Sequence, residues 1–383
     1  MEKLTAIRRN GRDKPLWRRI LSQSVTTVKD LPASFDLDEA EARIVADRYP
    51  MRINPYYMGL IKHKNDAIYN QCIPDVQEVI DERGFEDPLN EEGLSPVPGL
   101  THRYPDRVLF LISAHCAVYC RFCNRKRKVG LSSMVTKESI RESLSYIRSH
   151  TKIRDVLLSG GDPFLLENRQ LYLILSELRS MPHVEIIRIG TRVPCTLPQR
   201  VTPQLAKMLK NFHPLYIHTH FNHPDEITGD AALACRRLAD AGIPLGCQTV
   251  LLKGVNDDLF VIKELMQKLL TVRVRPYYLF QADLAKGTSH FWTPLHHGLD
   301  IMAGLQGHTS GLCLPHFALD LPGGCGKVPL IPEHVMGRDG DTLLIRDYRG
   351  EEHRYPLYDS WRKSAKIHID YLQEKTKKGV AHG

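Results

Sequence analysis

Three thiols are the residues most able to do chemistry in this chain. Cys116, Cys120 and Cys123 stand in CAVYCRFC, a C-x3-C-x2-C spacing just after an apolar run of strand length at 107–112. A loop at a strand end can aim all three sulfurs at one point. Thiolates suit zinc and iron–sulfur clusters alike. A structural zinc site takes four ligands, and the nearest further candidate, His115, adjoins Cys116 and is badly placed to close the same tetrahedron. Three thiolates on a [4Fe–4S] cluster leave one iron open for a ligand. The spacing therefore favours an iron–sulfur cluster over zinc. The other six cysteines (Cys72, Cys195, Cys235, Cys247, Cys313, Cys325) are scattered and read as small buried apolar residues. Nine cysteines in 383 residues do not read as a disulfide framework.

A second feature is the run PGGCGK, which ends on Lys327. It resembles a phosphate loop only briefly. A Walker A loop needs Gly six residues before the Lys and Ser or Thr after it, where this chain has Leu321 and Val328, so ATP binding fails.

The elements that must position these groups are legible as alternation. Strand-length apolar runs fall at 107–112, 155–158, 184–189, 215–220, 244–250, 273–279 and 314–319. Amphipathic helical stretches lie between most of them, one beginning at Thr136 with Ile140, Leu144 and Ile147 on one face, others at 171–179, 203–211, 230–241 and 259–270. Repetition of this kind argues for an α/β fold with a parallel sheet. Six or seven units suggest a partial β/α barrel rather than a doubly wound sheet, and no G-x-G-x-x-G opens a helix after the first strand. The expected organisation is a helical and irregular N-terminal region (1–100), the barrel (101–325) and a C-terminal extension (326–383). That extension would carry Lys327, a hairpin around 347–351 and a basic helix at 361–378.

In such barrels chemistry gathers at the C-terminal ends of the strands. Ser159, Gly160, Gly161 and Asp162 follow the second expected strand, His220 closes the fourth, Gln248 lies near the end of the fifth, Asp283 follows the sixth and Asp320 the last. All would face the mouth that holds the cysteine loop.

Composition narrows the class. A net charge of +8 could suggest nucleic acid, but much of the excess lies near the two ends, and nucleic-acid binding is not expected. No stretch reaches the roughly 18 apolar residues a bilayer span needs. The basic first residues are followed by no apolar h-region, so a cytoplasmic location is the expectation.

C-x3-C-x2-C is the signature of the radical S-adenosylmethionine (SAM) superfamily. The chain further resembles the lysine 2,3-aminomutase family of pyridoxal phosphate (PLP)-dependent enzymes, from about Tyr56 to Tyr348. The likeness runs through SPVPGLTHRYPDRV, VLLSGGDPF, PHVEIIRIGTR, THFNHPDEIT, GVND, RVRPYY, GHTSG and DLPGGCGK. That resemblance implies an isomerase that interconverts L-lysine and L-β-lysine, moving the amino group through a 5′-deoxyadenosyl radical. It implies a [4Fe–4S] cluster on Cys116, Cys120 and Cys123, and SAM contacts from Ser159, Gly160, Gly161, Asp162, His220 and Gln248. Lys327 would carry PLP, with Arg103, Tyr104 and Arg107 binding it. Arg125 would hold the substrate carboxylate, and Asp283 with Asp320 the distal ammonium. A flavodoxin- or ferredoxin-type electron donor and a homo-oligomer are implied too. Arginine, before glutamate, is the nearest alternative substrate; a radical SAM enzyme acting on RNA is the rival from another class.

Three departures from the family pattern stand out. The cysteine-rich zinc motif is missing from the tail, and Asp258 occupies its internal partner position, so no structural zinc is expected. Phe280 stands where Tyr is usual, and Cys325 replaces a Gly.

Overall fold

The structure is a computed structural model that describes residues 14–340 and 342–356. It divides into two compact units, one ending at Leu330 and one beginning at Ile331. The first is built on nine strands: β1 Leu100–Tyr104, β2 Arg107–Ser113, β3 Asp155–Gly160, β4 Ile186–Gly190, β5 Leu215–Thr219, β6 Leu245–Leu251, β7 Arg275–Gln281, β8 His316–Leu321 and β9 Gly326–Pro329. They lie side by side in chain order. β2 to β8 are parallel, while β1 and β9 run antiparallel at the two edges.

Six helices cross between the parallel strands: α1 Lys137–Ser149, α2 Asn168–Arg179, α3 Pro203–Leu209, α4 Gly229–Asp240, α5 Leu259–Thr271 and α6 Leu295–Leu305. A doubly wound sheet reverses its strand order at a switch point. This order never reverses, so the wall winds one way, as in a barrel. The edges β1 and β9 do not pair with each other, which makes the barrel partial. Along β3, β4 and β6 fully buried residues alternate with half-buried ones, as a sheet covered by helices on one face requires. Polar caps start the helices where the sequence changes period. Thr136 accepts from the Ser139 amide at α1, and Asp258 accepts from Phe260 and Val261 at α5. Asp258 is thus a helix cap.

Residues 14–99 form short helices, including Leu16–Ser22, Glu39–Arg48, Pro55–Met58, Ala67–Cys72 and Gln77–Ile80, that underlie the cysteine loop. Backbone bonds join the two: Tyr119 N–H donates to Arg52 O (2.9 Å) and Arg121 N–H to Gln71 O (2.9 Å). The second unit holds a three-stranded sheet, β10 Val335–Asp339, β11 Thr342–Arg346 and β12 Glu352–Pro356, with the expected hairpin between β11 and β12. The expected basic helix at 361–378 lies outside the described residues. No helix among them is long and apolar enough to cross a membrane.

Two details depart from the sequence reading. β1 was not anticipated, since LTHRY has no apolar run and gains its strand character from pairing with β2. Lys327 does not belong to a separate extension: β9 pairs with β8, placing Lys327 opposite Asp320 inside the barrel sheet.

Candidate active site

The cysteine loop leaves the C-terminal end of β2. Burial raises Cys116 well above the ordinary thiol range and Cys123 to about 11. Each of those shifts is reinforced by the neighbouring thiols, so the loop does gather the three sulfurs. As a set, however, they are farther apart than 4.8 Å, whereas a zinc ion about 2.3 Å from each sulfur holds them about 3.8 Å apart. That spread is wider than one zinc ion takes, and three thiolates are the donor set a [4Fe–4S] cluster accepts.

The loop is held by a buried charge network. Glu78, 1% exposed, accepts from Arg121 Nε (2.9 Å) and Nη2 (2.6 Å) and from Lys126 Nζ (2.5 Å). Lys126 also reaches the carbonyls of Arg121 and Gly287. Two cations flanking Cys123 are thereby tied to the N-terminal region.

Gly160 and Gly161 lie directly beneath the loop. A Cβ on Gly160 would stand 2.2 Å from Ser113 O, and one on Gly161 2.5 Å from His115 O. The glycines are required by this approach to the cysteine loop, which the amides of Gly161 and Asp162 secure on Ser113 O (2.6 Å) and His115 O (2.8 Å). Asp162 is buried, and burial raises its carboxyl to about 6. Its oxygens accept from Phe164 N–H, Thr191 Oγ1 (2.6 Å) and Arg192 N–H (2.7 Å). Its carboxylate therefore organises the end of β4. Ser159 is half-buried at the end of β3. His220, just past β5, bonds Asn222 Oδ1 through Nε2 (2.9 Å), and burial lowers its imidazole to about 3, so it is neutral. Gln248 on β6 sits level with Tyr278 of β7.

The remaining candidates meet at the seam between β1 and the β8–β9 pair. Asp320 Oδ1 accepts from Arg103 Nη1 (2.8 Å), and its other oxygen pairs with Lys327 Nζ. The Lys327 amide donates to the Tyr104 hydroxyl (3.1 Å). Side chains, not a backbone ladder, bridge the open edge of the barrel. The turn before Lys327 has positive φ at Gly323, Gly324 and Gly326, but Cys325 is at φ −69°, an angle that needs no glycine. Phe280 faces Lys327 Nζ, 5.3 Å from its ring centre. Arg107 stacks 3.9 Å over Tyr104 and bonds Asp106.

Asp283 is half-buried, and its desolvation together with the second carboxylate, Asp320, lifts it to about 6. Asn124 Nδ2 donates to it (2.7 Å). Arg125, by contrast, holds a bidentate pair with Glu91, itself 8% exposed. Asn124, Glu78, Glu91, Arg192 and Glu226 were missed by the sequence reading. Arg192 and Glu226 left a signal, as residues of PHVEIIRIGTR and THFNHPDEIT.

A model of the Radical SAM superfamily matches residues 110–262, which defines the class of the barrel. A lysine-2,3-aminomutase model matches 302–382. The L-lysine 2,3-aminomutase of Clostridium subterminale is 48% identical over 341 residues, 87% of this chain and 82% of its own. That of Methanococcus maripaludis is 51% identical over 340 residues, 86% and 78% of the two chains. The glutamate 2,3-aminomutase of Clostridioides difficile is 43% identical over 337 residues, 86% and 80%. The chain belongs to the lysine 2,3-aminomutase family. Its cofactors as a family member are a [4Fe–4S] cluster, SAM and PLP.

Proposed function

We propose that this protein is an isomerase that interconverts L-lysine and L-β-lysine. The observation that carries the choice of substrate is Asp283. A half-buried carboxylate lifted to about 6, with a second carboxylate acting on it and a neutral amide as its hydrogen-bond donor, calls for a cation. A lysine side-chain ammonium supplies one. A glutamate side chain would add a third negative charge to the same space.

When bound, the reduced cluster with SAM supplies a 5′-deoxyadenosyl radical that exchanges hydrogen with the substrate, and PLP supplies the π-system that carries the migrating nitrogen. Cys116, Cys120 and Cys123 would hold the cluster. Ser159, Gly160, Gly161, His220 and Gln248 would line the SAM site, with Asp162 acting through the end of β4. Lys327 would hold PLP, and Arg103, Tyr104 and Arg107 would bind its phosphate, since guanidinium forks match phosphate oxygens. Asp320 Oδ2 is the acceptor next to Lys327 Nζ when that amine gives up its proton. Arg125 would turn from Glu91 to the substrate carboxylate. A flavodoxin- or ferredoxin-type donor, self-association and a cytoplasmic setting belong to the same proposal and rest on the family resemblance.

The test is an anaerobic assay of the reconstituted protein with PLP, SAM and dithionite, given lysine, arginine, glutamate or alanine separately. Chromatography and mass spectrometry then resolve the β-isomers. β-Lysine should form, and should vanish in Lys327→Ala and Cys120→Ala. SAM cleavage without any β-amino acid would overturn the aminomutase reading.

A further inference from the structure

The barrel holds one buried cation aimed at a cysteine of the cluster loop. Arg192, 9% exposed, lies two residues past the end of β4. Its Nη1 donates to Cys120 Sγ at 2.7 Å. Its Nη2 is fixed from the other side by Glu226 Oε1 (2.7 Å), Gln71 Oε1 (2.5 Å) and the Tyr57 hydroxyl (3.1 Å). Glu226 is fully buried and held in turn by Tyr57 Oη and the amides of Asn222 and His223. The guanidinium lies against the rings of Tyr57 (5.5 Å) and Phe122 (5.2 Å), the latter inside the cysteine motif. Asp162 fixes its backbone amide.

A plain internal ion pair would turn both arms of the fork to the carboxylate. Here the fork is divided: one arm faces the carboxylate and the other a sulfur, while Nε has no partner. Hydrogen bonds to cluster sulfurs and nearby charge set the reduction potential of an iron–sulfur centre. In a water-poor interior such a charge acts with little screening.

We infer that Arg192 is a positioning residue whose guanidinium, held by Glu226, Gln71 and Tyr57, donates to the Cys120 sulfur and makes the cluster easier to reduce. Glu226 opposes that effect while it orients the fork. The inference rests on the cluster reading and concerns the electron-accepting step, in which one electron passes from an external reductant to the cluster and no bond to carbon changes.

The experiment is a redox titration of the anaerobically reconstituted full chain, without SAM, using dithionite and mediators. Electron paramagnetic resonance of the reduced state is the readout, and iron and sulfide are counted in each sample. At the potential where half of the wild-type cluster is reduced, Arg192→Gln should show a reduced-to-oxidised ratio about tenfold lower, equivalent to about 59 mV for one electron. Arg192→Lys, which keeps a charge without the fork, should fall between the two. Glu226→Gln should move the ratio the opposite way, because the guanidinium charge is then unopposed. A purely structural pair would leave the potential and spectrum of every iron-loaded variant at wild-type values, and that result overturns the inference. So does a shift of Arg192→Gln and Glu226→Gln in the same direction. If Arg192→Gln cannot hold iron, Arg192→Lys decides by the same readout, a wild-type potential and spectrum counting against the inference. Failure of the wild-type chain to take up iron and sulfide would instead overturn the cluster reading itself.

Discussion

Replacing Glu78 by Gln removes one negative charge that compensates two buried cations. The carboxylate is fully buried, and Arg121 and Lys126 are 2% and 6% exposed. Gln can accept through a single oxygen and turns an N–H group toward the cations. Breaking a buried ion pair by removing one partner costs about 3–5 kcal/mol, because the charge left behind can neither ionise freely nor reach water. The unit ending at Leu330 unfolds with an entropy of about 0.7 kcal/mol/K, at about 2.1 cal/mol/K per residue. The expected fall in Tm is therefore about 4–7 °C, measured by calorimetry on the cofactor-free protein with urea midpoints as a check. Because Arg121 and Lys126 flank Cys123, iron uptake on reconstitution should fall as well. Adding Lys126→Met to Glu78→Gln should recover part of the loss, since it removes one of the unpaired charges. A Glu78→Gln protein that melts within about 1 °C of wild type would refute the reasoning. So would a double variant less stable than the single one.

Two further outcomes follow from the site. Asp283 is raised from 3.8 to about 6, so between those values the folded state binds more protons than the unfolded state and stability falls as pH rises. The swing is about 3 kcal/mol, at about 1.36 kcal/mol per pKa unit. It should be absent in Asp283→Asn when urea midpoints are compared across that window, and an unchanged pH slope would count against the desolvated charge. Lysine binding, which needs the carboxylate ionised, should weaken as pH drops below about 6 in an equilibrium titration. For the glycine pair, Gly161→Ala places Cβ 2.5 Å from His115 O and should cost about 1–3 kcal/mol and lower iron uptake. Gly190→Ala, whose nearest atoms lie at 3.8 Å, is the control and should load normally. Equal loading and melting of the two would show that the loop tolerates the crowding.

The barrel was legible because its strands and helices carry different hydrophobic periods, and each boundary moved by only a few residues. The 314–319 run, for example, became β8 at His316–Leu321, which draws Asp320 into the strand. β1 was not legible, since an edge strand of polar residues owes its conformation to its partner and not to its own pattern. Lys327 was assigned outside the barrel for a related reason. A Gly-rich run reads locally as a turn ending the sheet, whereas here it is the hairpin that returns the chain along β8.

The cysteine loop could be read because three like residues at fixed spacing are improbable by chance and chemically specific. The carboxylates that organise the site had no such mark. Glu78, Glu91 and Glu226 meet Arg121, Arg125 and Arg192 across 43, 34 and 34 residues of chain. A single Glu in a soluble protein is by default a solvated one. Folding reverses that default wherever a loop carrying several cations must be buried beside sulfur, because each cation there needs a counter-charge or a carbonyl. The same rule distinguishes Asp283 from these three. They are paired within the chain, and their carboxyls are held low by Arg121, Arg125 and Arg192 despite burial. Asp283 instead is pushed up. Asp283 takes its hydrogen bond from a neutral amide and its strongest electrostatic effect from a second carboxylate, which Lys327 and Arg125 offset only in part; a site of that charge can receive the ammonium of a basic amino acid, whereas Glu78, Glu91 and Glu226 are already paired.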